Sequence, residues 1–485
     1  MDDTNEYGAD IRRARVEQGL HQSDLAKLLG VSAPFVSRLE RGGVRESPRV
    51  AERCEEVLGV ARKAPVSRRG GAEGQVPLPY ATPSEDPYLK LLPSEIQRSV
   101  EPDVRAWDIP QTIPELSYLT HGFFRYYGKF PSTLARKLIR DFRPEEGEVV
   151  LDNLMGCGTT LVEARLEGHE SLGIDASPLA VLAARVKVTT TVDRAAVRRS
   201  MSTIRQAFDA QAATVPEGRD FTKWFSGAAT RDLANLRAAI LSTAADDVRR
   251  FVALAFFAVI RRVSFAFDGE VRPHINAEKK PRDVWPAFAK KVDDMLGRMA
   301  EYEGFVRGKP EATAVTCDAR NPSAVLEPYR GRVGLVISHP PYLNCFDYIP
   351  VFRLEYLWTD GFEAELGDDW TYAGLRDDQV KSWPASPAVV EAYFADLTTA
   401  YCQLVPYLSA TARVAVVIGD CTIKGELLPV LDRFAADMGR AGFTLVRTLL
   451  RTTHYGTGKY AYAHRADYHG TAAEKRDGVL VFRRA

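Results

Sequence analysis

Val336-Ile337-Ser338-His339-Pro340-Pro341-Tyr342 is the string in this chain that carries the most chemistry. Its apolar start reads as a strand. Two consecutive prolines then stop the ladder, so carbonyls and flanking side chains just past the strand are left facing a pocket. Such a place suits the activation of an exocyclic amine. The lone pair of that amine is delocalised into its ring, which makes it a poor nucleophile. Hydrogen bonds from its N–H groups to a polar side chain and a proline carbonyl rehybridise it toward sp3. His339 offers the polar side chain through an unprotonated ring nitrogen, so the rate should fall where the imidazole takes up a proton. Tyr342 offers a ring on which an extruded base could stack.

A second cluster lies upstream. The strand candidate Glu148–Asp152 runs into Leu154-Met155-Gly156-Cys157-Gly158-Thr159-Thr160 and then into a helix, Leu161 to Glu167. Glycines at this place let the backbone approach a ligand at the carboxyl edge of a first strand. Gly173-Ile174-Asp175 follows the next strand candidate, and Asp175 stands 23 residues after Asp152. An acid at the tip of a second strand is where ribose hydroxyls are gripped. A dinucleotide site would read G-x-G-x-x-G, but Leu161 takes the place of the third glycine, and no basic residue or further glycine is at hand for a pyrophosphate. S-adenosylmethionine, which carries no phosphate, fits better.

These clusters must be positioned by a chain of 485 residues, enough for about three domains at ~150 residues each. Lys+Arg 64 balance Asp+Glu 64, and 45% of the residues are hydrophobic, which excludes a disordered chain. Zero net charge argues against a histone-like coat protein, yet a local basic face is enough for nucleic-acid binding. The polar, acidic opening Met1-Asp2-Asp3-Thr4-Asn5-Glu6 shows no secretory signal. The longest apolar run, Phe251 to Ile260, is about half of a membrane span and reads as a buried helix, so no membrane association is expected. Cys54, Cys157, Cys317, Cys345, Cys402 and Cys421 form no CxxC pair, and the histidines do not fall at zinc-finger spacing around them. Scattered thiols suit a reducing compartment, and a cytoplasmic, nucleoid-associated protein is expected. No cysteine follows a proline, which removes cytosine C5 chemistry. No metal-ligand cluster appears, and methyl transfer needs none.

Composition shifts mark three zones. Residues 1–60 read as short helices, residues 61–117 as a Pro-, Gly- and Ser-rich linker with an extended arm, and residues 118–485 as a doubly wound α/β sheet. The strand candidates are Glu148–Asp152, Ser171–Asp175, Ala312–Cys317, Val333–Ser338, Arg413–Gly419, Phe443–Leu450 and Gly478–Phe482. Between about residues 195 and 307 the pattern is helical with almost no strand signal. That length is too great for a βα loop and reads as an inserted helical subdomain.

In the first zone, Gln22 to Ser32 reads as a short helix closed by Gly30, and Ala33 to Arg41 as a second. Leu25, Val31, Val36 and Leu39 are spaced for a shared core. Ser32, Ala33, Pro34, Ser37 and Arg38 are left on an outer face, which a helical hairpin used for protein contact could also present. Residues 8–60 resemble the Cro/CI-type helix-turn-helix family in Leu-His-Gln-Ser-Asp-Leu-Ala and Val-Ser-Arg-Leu-Glu-Arg-Gly. That resemblance implies a second helix in the major groove of double-stranded DNA, with Gln22, Ser32, Ser37 and Arg38 facing it. One such module usually binds weakly, so a homodimer or a second DNA-binding surface is implied.

The region from about Tyr118 to Arg484 resembles the amino-methylating DNA methyltransferases, which modify cytosine N4 or adenine N6. Leu151 to Thr160 is similar to their cofactor loop, and Phe124-Arg125-Tyr126-Tyr127-Gly128-Lys129-Phe130-Pro131 to the segment that closes over the methionine end. Thr316-Cys317-Asp318-Ala319-Arg320 resembles a third-strand loop, and Gly478 to Arg484 the last, antiparallel strand. Pro340-Pro341-Tyr342-Leu343-Asn344 with Asp347-Tyr348 matches the form S-P-P-Y-x-N-x-x-D-Y, with His339 where the family usually has Ser, Asp or Asn.

The resemblance implies a Rossmann-like S-adenosylmethionine-dependent sheet with a helical insertion, beside a small all-α N-terminal domain. It assigns cofactor contacts to Phe130, Asp152, Gly156, Gly158, Thr159, Thr160, Asp175 and Asp318. It assigns the catalytic place to His339, Pro340, Pro341 and Tyr342. Within those, Asp175 would hold the ribose, Asp318 the adenine amine, and Phe130 with the Gly156–Thr160 loop the methionine portion. Cytosine N4 is favoured over adenine N6 by the residues after Tyr342. A restriction-endonuclease partner is compatible with it, and so is a DNA-binding regulator with a non-catalytic methyltransferase fold. Arg261-Arg262 and the basic stretch Arg272 to Arg282 suit phosphate contact or a solvated loop, and Arg451 to Tyr460 a DNA-facing or a surface loop.

Overall fold

The computed structural model describes residues 3–18, 20–29, 36, 39–40, 48–60, 86–96, 104–109, 115–129, 131–210, 213–216, 220–268, 271–345, 347–453 and 476–485. The chain divides into two units, Met1–Pro79 and Tyr80–Ala485.

In the first unit, helices Asp3–Glu17, Gln22–Leu29 and Pro48–Leu58 surround a small core, to which Ile11, Leu25, Leu29, Val36, Leu39 and Cys54 contribute. Buried Glu40 ties this core together. It pairs with the Arg15 guanidinium and accepts from Gln22 Nε2 at 2.8 Å, while Arg15 Nη1 donates to the Leu20 carbonyl at 2.7 Å. A paired, nearly buried charge in so small a core favours one helix register over others.

The sheet of the second unit is centred on strands that are apolar on both faces. Val149–Asp152 (β3) and Val333–Ser338 (β6) are buried along their whole length, as a sheet covered on both sides requires. The remaining strands are Ser94–Ile96 (β1), Val104–Ile109 (β2), Ser171–Asp175 (β4), Ala312–Thr316 (β5), Leu408–Gly419 (β7), Cys421–Ile423 (β8), Glu426–Leu428 (β9), Phe443–Thr453 (β10) and Asp477–Arg484 (β11). Nine of them form one sheet in the order β1-β2-β10-β11-β7-β6-β3-β4-β5, and β8 and β9 pair separately. Strands β7, β6, β3, β4 and β5 run parallel, whereas β11 is antiparallel to both β7 and β10. All seven strand segments expected from the sequence are present. Residues 94–109, read from composition as part of an arm, supply β1 and β2, and β2 pairs in parallel with β10.

The chain moves outward from β3 through β4 to β5 and then returns to β6 on the other side of β3. The carboxyl ends of β3, β4 and β6 therefore meet where the winding reverses, the place at which open α/β sheets bind ligands. Helices Arg194–Asp209, Gly227–Leu241, Asp247–Ile260 and Val284–Val306 lie in sequence between β4 and β5. Asp193, Ser226 and Asp246 cap the first three by accepting from backbone N–H groups of the first turn. Asp247–Ile260 contains the long apolar run and is buried in the same core as helix Pro178–Val188. No helix among the described residues is long and apolar enough to cross a membrane.

Candidate active site

The loop after β3 is shaped by Asp152 from beneath. Its Oδ1 accepts from the Leu154 N–H at 3.2 Å and its Oδ2 from the Thr160 hydroxyl at 2.5 Å. The loop is closed from Gly158 N to the Met155 carbonyl at 2.9 Å, and fully buried Lys187 donates to the Cys157 carbonyl at 2.8 Å. Two glycines are required here. Gly158 sits at φ +77°, and a Cβ on it would lie 2.7 Å from the Ala184 Cβ. Gly156, at φ +50°, would bring a Cβ 2.7 Å from the Tyr126 ring.

Burial pushes the Asp152 carboxyl from its usual 3.8 up to about 7. The folded protein then holds that proton more tightly than the unfolded chain. This contribution to stability is full below about pH 4 and is lost as pH rises to about 7. Asp152→Asn should therefore gain on the wild type in unfolding free energy, by about 3 kcal/mol between about pH 5 and about pH 8. Urea titrations at both pH values check this. A difference independent of pH would mean that Asp152 is ionised throughout.

Asp175 ends β4 and faces the loop. Its Oδ2 accepts from Gly156 N at 2.9 Å and its Oδ1 from Ser177 N at 2.8 Å, and burial raises its carboxyl to about 6. Ser177 caps the next helix, with Pro178 in its first turn. Asp318, past the end of β5, is held by its neighbour two residues on. Arg320 donates to it from Nε at 3.0 Å, from Nη2 at 2.8 Å and from its backbone N–H at 2.8 Å. The same guanidinium reaches Asp396 Oδ2 at 3.4 Å and the Asp378 carbonyl at 3.0 Å, so the Asp318 side chain is fixed rather than free to swing.

Strand β6 ends at Ser338, whose Oγ accepts from the Tyr401 hydroxyl at 2.9 Å. His339 follows, half-buried. Tyr393 donates to the Pro341 carbonyl at 2.9 Å. Tyr342 turns into the protein: it is buried, its hydroxyl donates to Asp477 Oδ1 at 3.0 Å, and its ring lies 5.1 Å from the His339 ring, centroid to centroid. A Cβ on Gly419 would be 2.9 Å from that tyrosine ring, so β7 must offer glycine there. The next turn is pinned by Asn344, at φ +59°, which bonds from its N–H to the Ser382 carbonyl at 2.7 Å and from Nδ2 to the Thr422 carbonyl at 2.9 Å.

These elements line one open cavity. Its wall contains Gly156, Thr159, Asp175, Asp318, His339 and Pro341 from the residues expected to act. Asp152, Gly158, Thr160, Pro340 and Tyr342 are not in it. Asp152 and Thr160 bond to one another below the loop, Gly158 packs on Ala184, and Tyr342 backs His339. Phe130 lies outside the described residues, as do Ser32, Ser37 and Arg38 and most of the 451–460 loop. Gln22 is described, and its amide is engaged with Glu40.

Tyr126, Lys129 and Tyr348 are also in the wall; they stand in strings read from the sequence but were given no individual role there. Lys129 Nζ donates to the His121 carbonyl at 3.3 Å and has no ion pair with a described carboxylate, and burial lowers its ammonium to about 8. Its sign was visible in the aromatic run 124–130, but its direction was not. The wall thus offers a cation with no ion pair to a described carboxylate at one place and a buried carboxylate beside a glycine loop at another. S-adenosylmethionine has complementary groups for both, a carboxylate and a ribose diol, so the donor set fits that cofactor. No group of three or more His, Cys, Asp or Glu that could hold a metal occurs among the described residues.

Comparison with known proteins agrees with this arrangement. Residues 11–62 match the family model of a helix-turn-helix, and residues 79–185 match that of a DNA methylase. The type II methyltransferase M.MvaI of Kocuria varians is 24% identical over 264 residues, 50% of this chain and 58% of that protein. M.MjaII of Methanocaldococcus jannaschii is 44% identical over 69 residues, 14% of this chain and 13% of that protein. The chain therefore spans less than two thirds of the length of each of these relatives. An rRNA methyltransferase from Streptomyces viridochromogenes aligns at 13% identity over 74% of this chain and 88% of that one, with a TM-score of 0.28, too low to bear on the fold. The chain is thus similar to a helix-turn-helix over residues 11–62 and to the DNA methylases over residues 79–185.

Proposed function

We propose that the protein transfers a methyl group from S-adenosylmethionine to an exocyclic amine of a base in double-stranded DNA, cytosine N4 ahead of adenine N6. One observation carries the reading. The glycine loop and Asp175 share a single cavity with His339 and Pro341, so a methyl donor and an amine could meet at the carboxyl edge of three parallel strands. The cofactor, when bound, supplies an electrophilic methyl on its sulfonium. Asp175 and Asp318 would hold its ribose and adenine ends. Lys129 would meet its carboxylate through a charge-assisted hydrogen bond, beside Phe130 and the Gly156–Thr160 loop.

His339 would accept one amine N–H through an unprotonated ring nitrogen. We assign the other amine N–H to a proline carbonyl of the Pro340-Pro341 pair. The imidazole would then take the proton that the amine gives up on methylation. Tyr342 would act through His339 by fixing its ring. Gln22, Ser32, Ser37 and Arg38 are the residues of the helix-turn-helix that we assign to DNA. A homodimer and a cognate endonuclease belong to the same reading, as does a place beside the nucleoid.

Incubating the protein with labelled S-adenosylmethionine and mixed genomic DNA, then digesting to nucleosides, tests it. Label in N4-methylcytosine is expected. Label in N6-methyladenine alone would reverse the choice of base, and label in neither would leave a DNA-binding regulator with a non-catalytic fold.

A further inference from the structure

Residues 264–268 and 271–276 of the helical insertion lie side by side as the two braced arms of a hairpin. Phe267 N bonds to the His274 carbonyl at 3.0 Å and Asn276 N to the Phe265 carbonyl at 2.9 Å, with Ala266 and Ile275 bridged between them. Buried Arg261 fills its inside, donating to the carbonyls of Phe267, Val271 and Arg272. Lys279 Nζ adds bonds to the carbonyls of Arg261 and Ala266 at 2.7 and 2.6 Å. A loop ordered from within by two cations nevertheless leaves Phe267 39% and Ile275 46% exposed. Surface this apolar on so fixed a frame is the form of a contact element rather than of a solvated loop.

Its place decides what it contacts. The Arg272 guanidinium lies 4.1 Å from the centre of the Trp383 ring, and Trp383 follows Ser382, whose carbonyl receives the Asn344 N–H just past the catalytic tetrapeptide. Arg261 lies 5.7 Å from the Tyr127 ring, in the segment that carries Tyr126 and Lys129 into the cavity wall. The hairpin therefore bridges the two segments that flank the cavity. Arg262, Lys280 and Arg282 stand exposed at its base with no ion pair to a described carboxylate, a positive fringe suited to phosphates.

We propose that this hairpin holds duplex DNA against the cavity, with Phe267 and Ile275 wedged into the base stack where the target base leaves it and the three exposed cations on neighbouring phosphates. The inference rests on the methyl-transfer reading. Its test uses the full chain and a duplex containing the site found methylated in genomic DNA. A Phe267→Ala/Ile275→Ala variant should lose at least about tenfold in kcat/KM for that duplex, with cofactor affinity and thermal unfolding unchanged. Much of the loss should return on a duplex whose target base is mispaired, since less unstacking is then required. A variant with Arg262, Lys280 and Arg282 changed to glutamine should show a shallower dependence of log kcat/KM on log salt, by about one for each phosphate contact removed. If the wild type methylates the duplex and both variants match it, the hairpin inference falls alone. If the wild type transfers no methyl group to DNA, it falls together with the methyl-transfer reading.

Discussion

His339→Ala should lower kcat for methyl transfer by about two to three orders of magnitude, while the dissociation constant for S-adenosylmethionine stays within about twofold of wild type. The imidazole is the one polar side chain of the tetrapeptide in the cavity wall, and its ring is backed by Tyr342, which Asp477 holds from β11. Removing it takes away an acceptor that strengthens as the amine becomes positive, an interaction made in the transition state rather than in the ground state. His339→Asn keeps a carbonyl acceptor on a shorter side chain and should recover part of the loss. With S-adenosylmethionine saturating, it should also remove any acid limb that the imidazole gives the rate, because an amide does not titrate. Single-turnover methylation of a duplex across a pH series reads all three quantities. Full rate in His339→Ala would remove His339 from the reaction.

The second large effect falls on cofactor binding. Asp175→Ala should weaken S-adenosylmethionine by more than about a hundredfold, measured by calorimetric titration of the folded variant. The carboxylate already accepts from the backbone N–H groups of Gly156 and Ser177. Deleting it leaves both donors unsatisfied at about 1–3 kcal/mol each and loses the bonds to the ribose as well. Asp175→Asn retains one acceptor oxygen and should lose roughly tenfold.

The pH response separates the charge from the shape. Burial raises the Asp175 carboxyl to about 6, so below that value the free protein holds a proton that the diol-binding form must release. Affinity in the wild type should fall by up to about tenfold per pH unit below about 6 and be flat above it, and Asp175→Asn should abolish that limb. A wild-type dissociation constant in Asp175→Ala would place the ribose elsewhere.

Several parts of this arrangement were legible in the chain itself. The seven strands of the alternating region could be read because each is a short, largely apolar run bounded by turn residues, and at the centre of the sheet burial along the whole of β3 and β6 leaves that pattern in sequence. Strands β1 and β2 could not be read. Val104-Arg105-Ala106-Trp107-Asp108-Ile109 is a weak strand by composition, and its partner β10 lies more than three hundred residues away. Strand preference of this kind is set by the neighbour rather than by the residues. Asp318 and Asp175 both reach the cavity as their places at strand ends suggest. The tether from Arg320 to Asp318 needed a structure, because a cation two residues on can point either way.

The residue types fixed the chemistry that is available: an imidazole beside two prolines, a glycine loop followed by an acid, and a basic segment in a long helical insertion. Local sequence decides such things because conformational limits on proline and glycine act within a few residues. Which of those side chains meet in one cavity was decided only by tertiary structure. Tyr342 is drawn inward by an aspartate 135 residues later, Asp152 is sealed under its own loop, and Lys129 is turned into the wall with no ion pair to a described carboxylate. Each outcome depends on desolvation and on partners brought together by the reversal of the sheet, and those are properties of packing that no run of neighbouring residues contains.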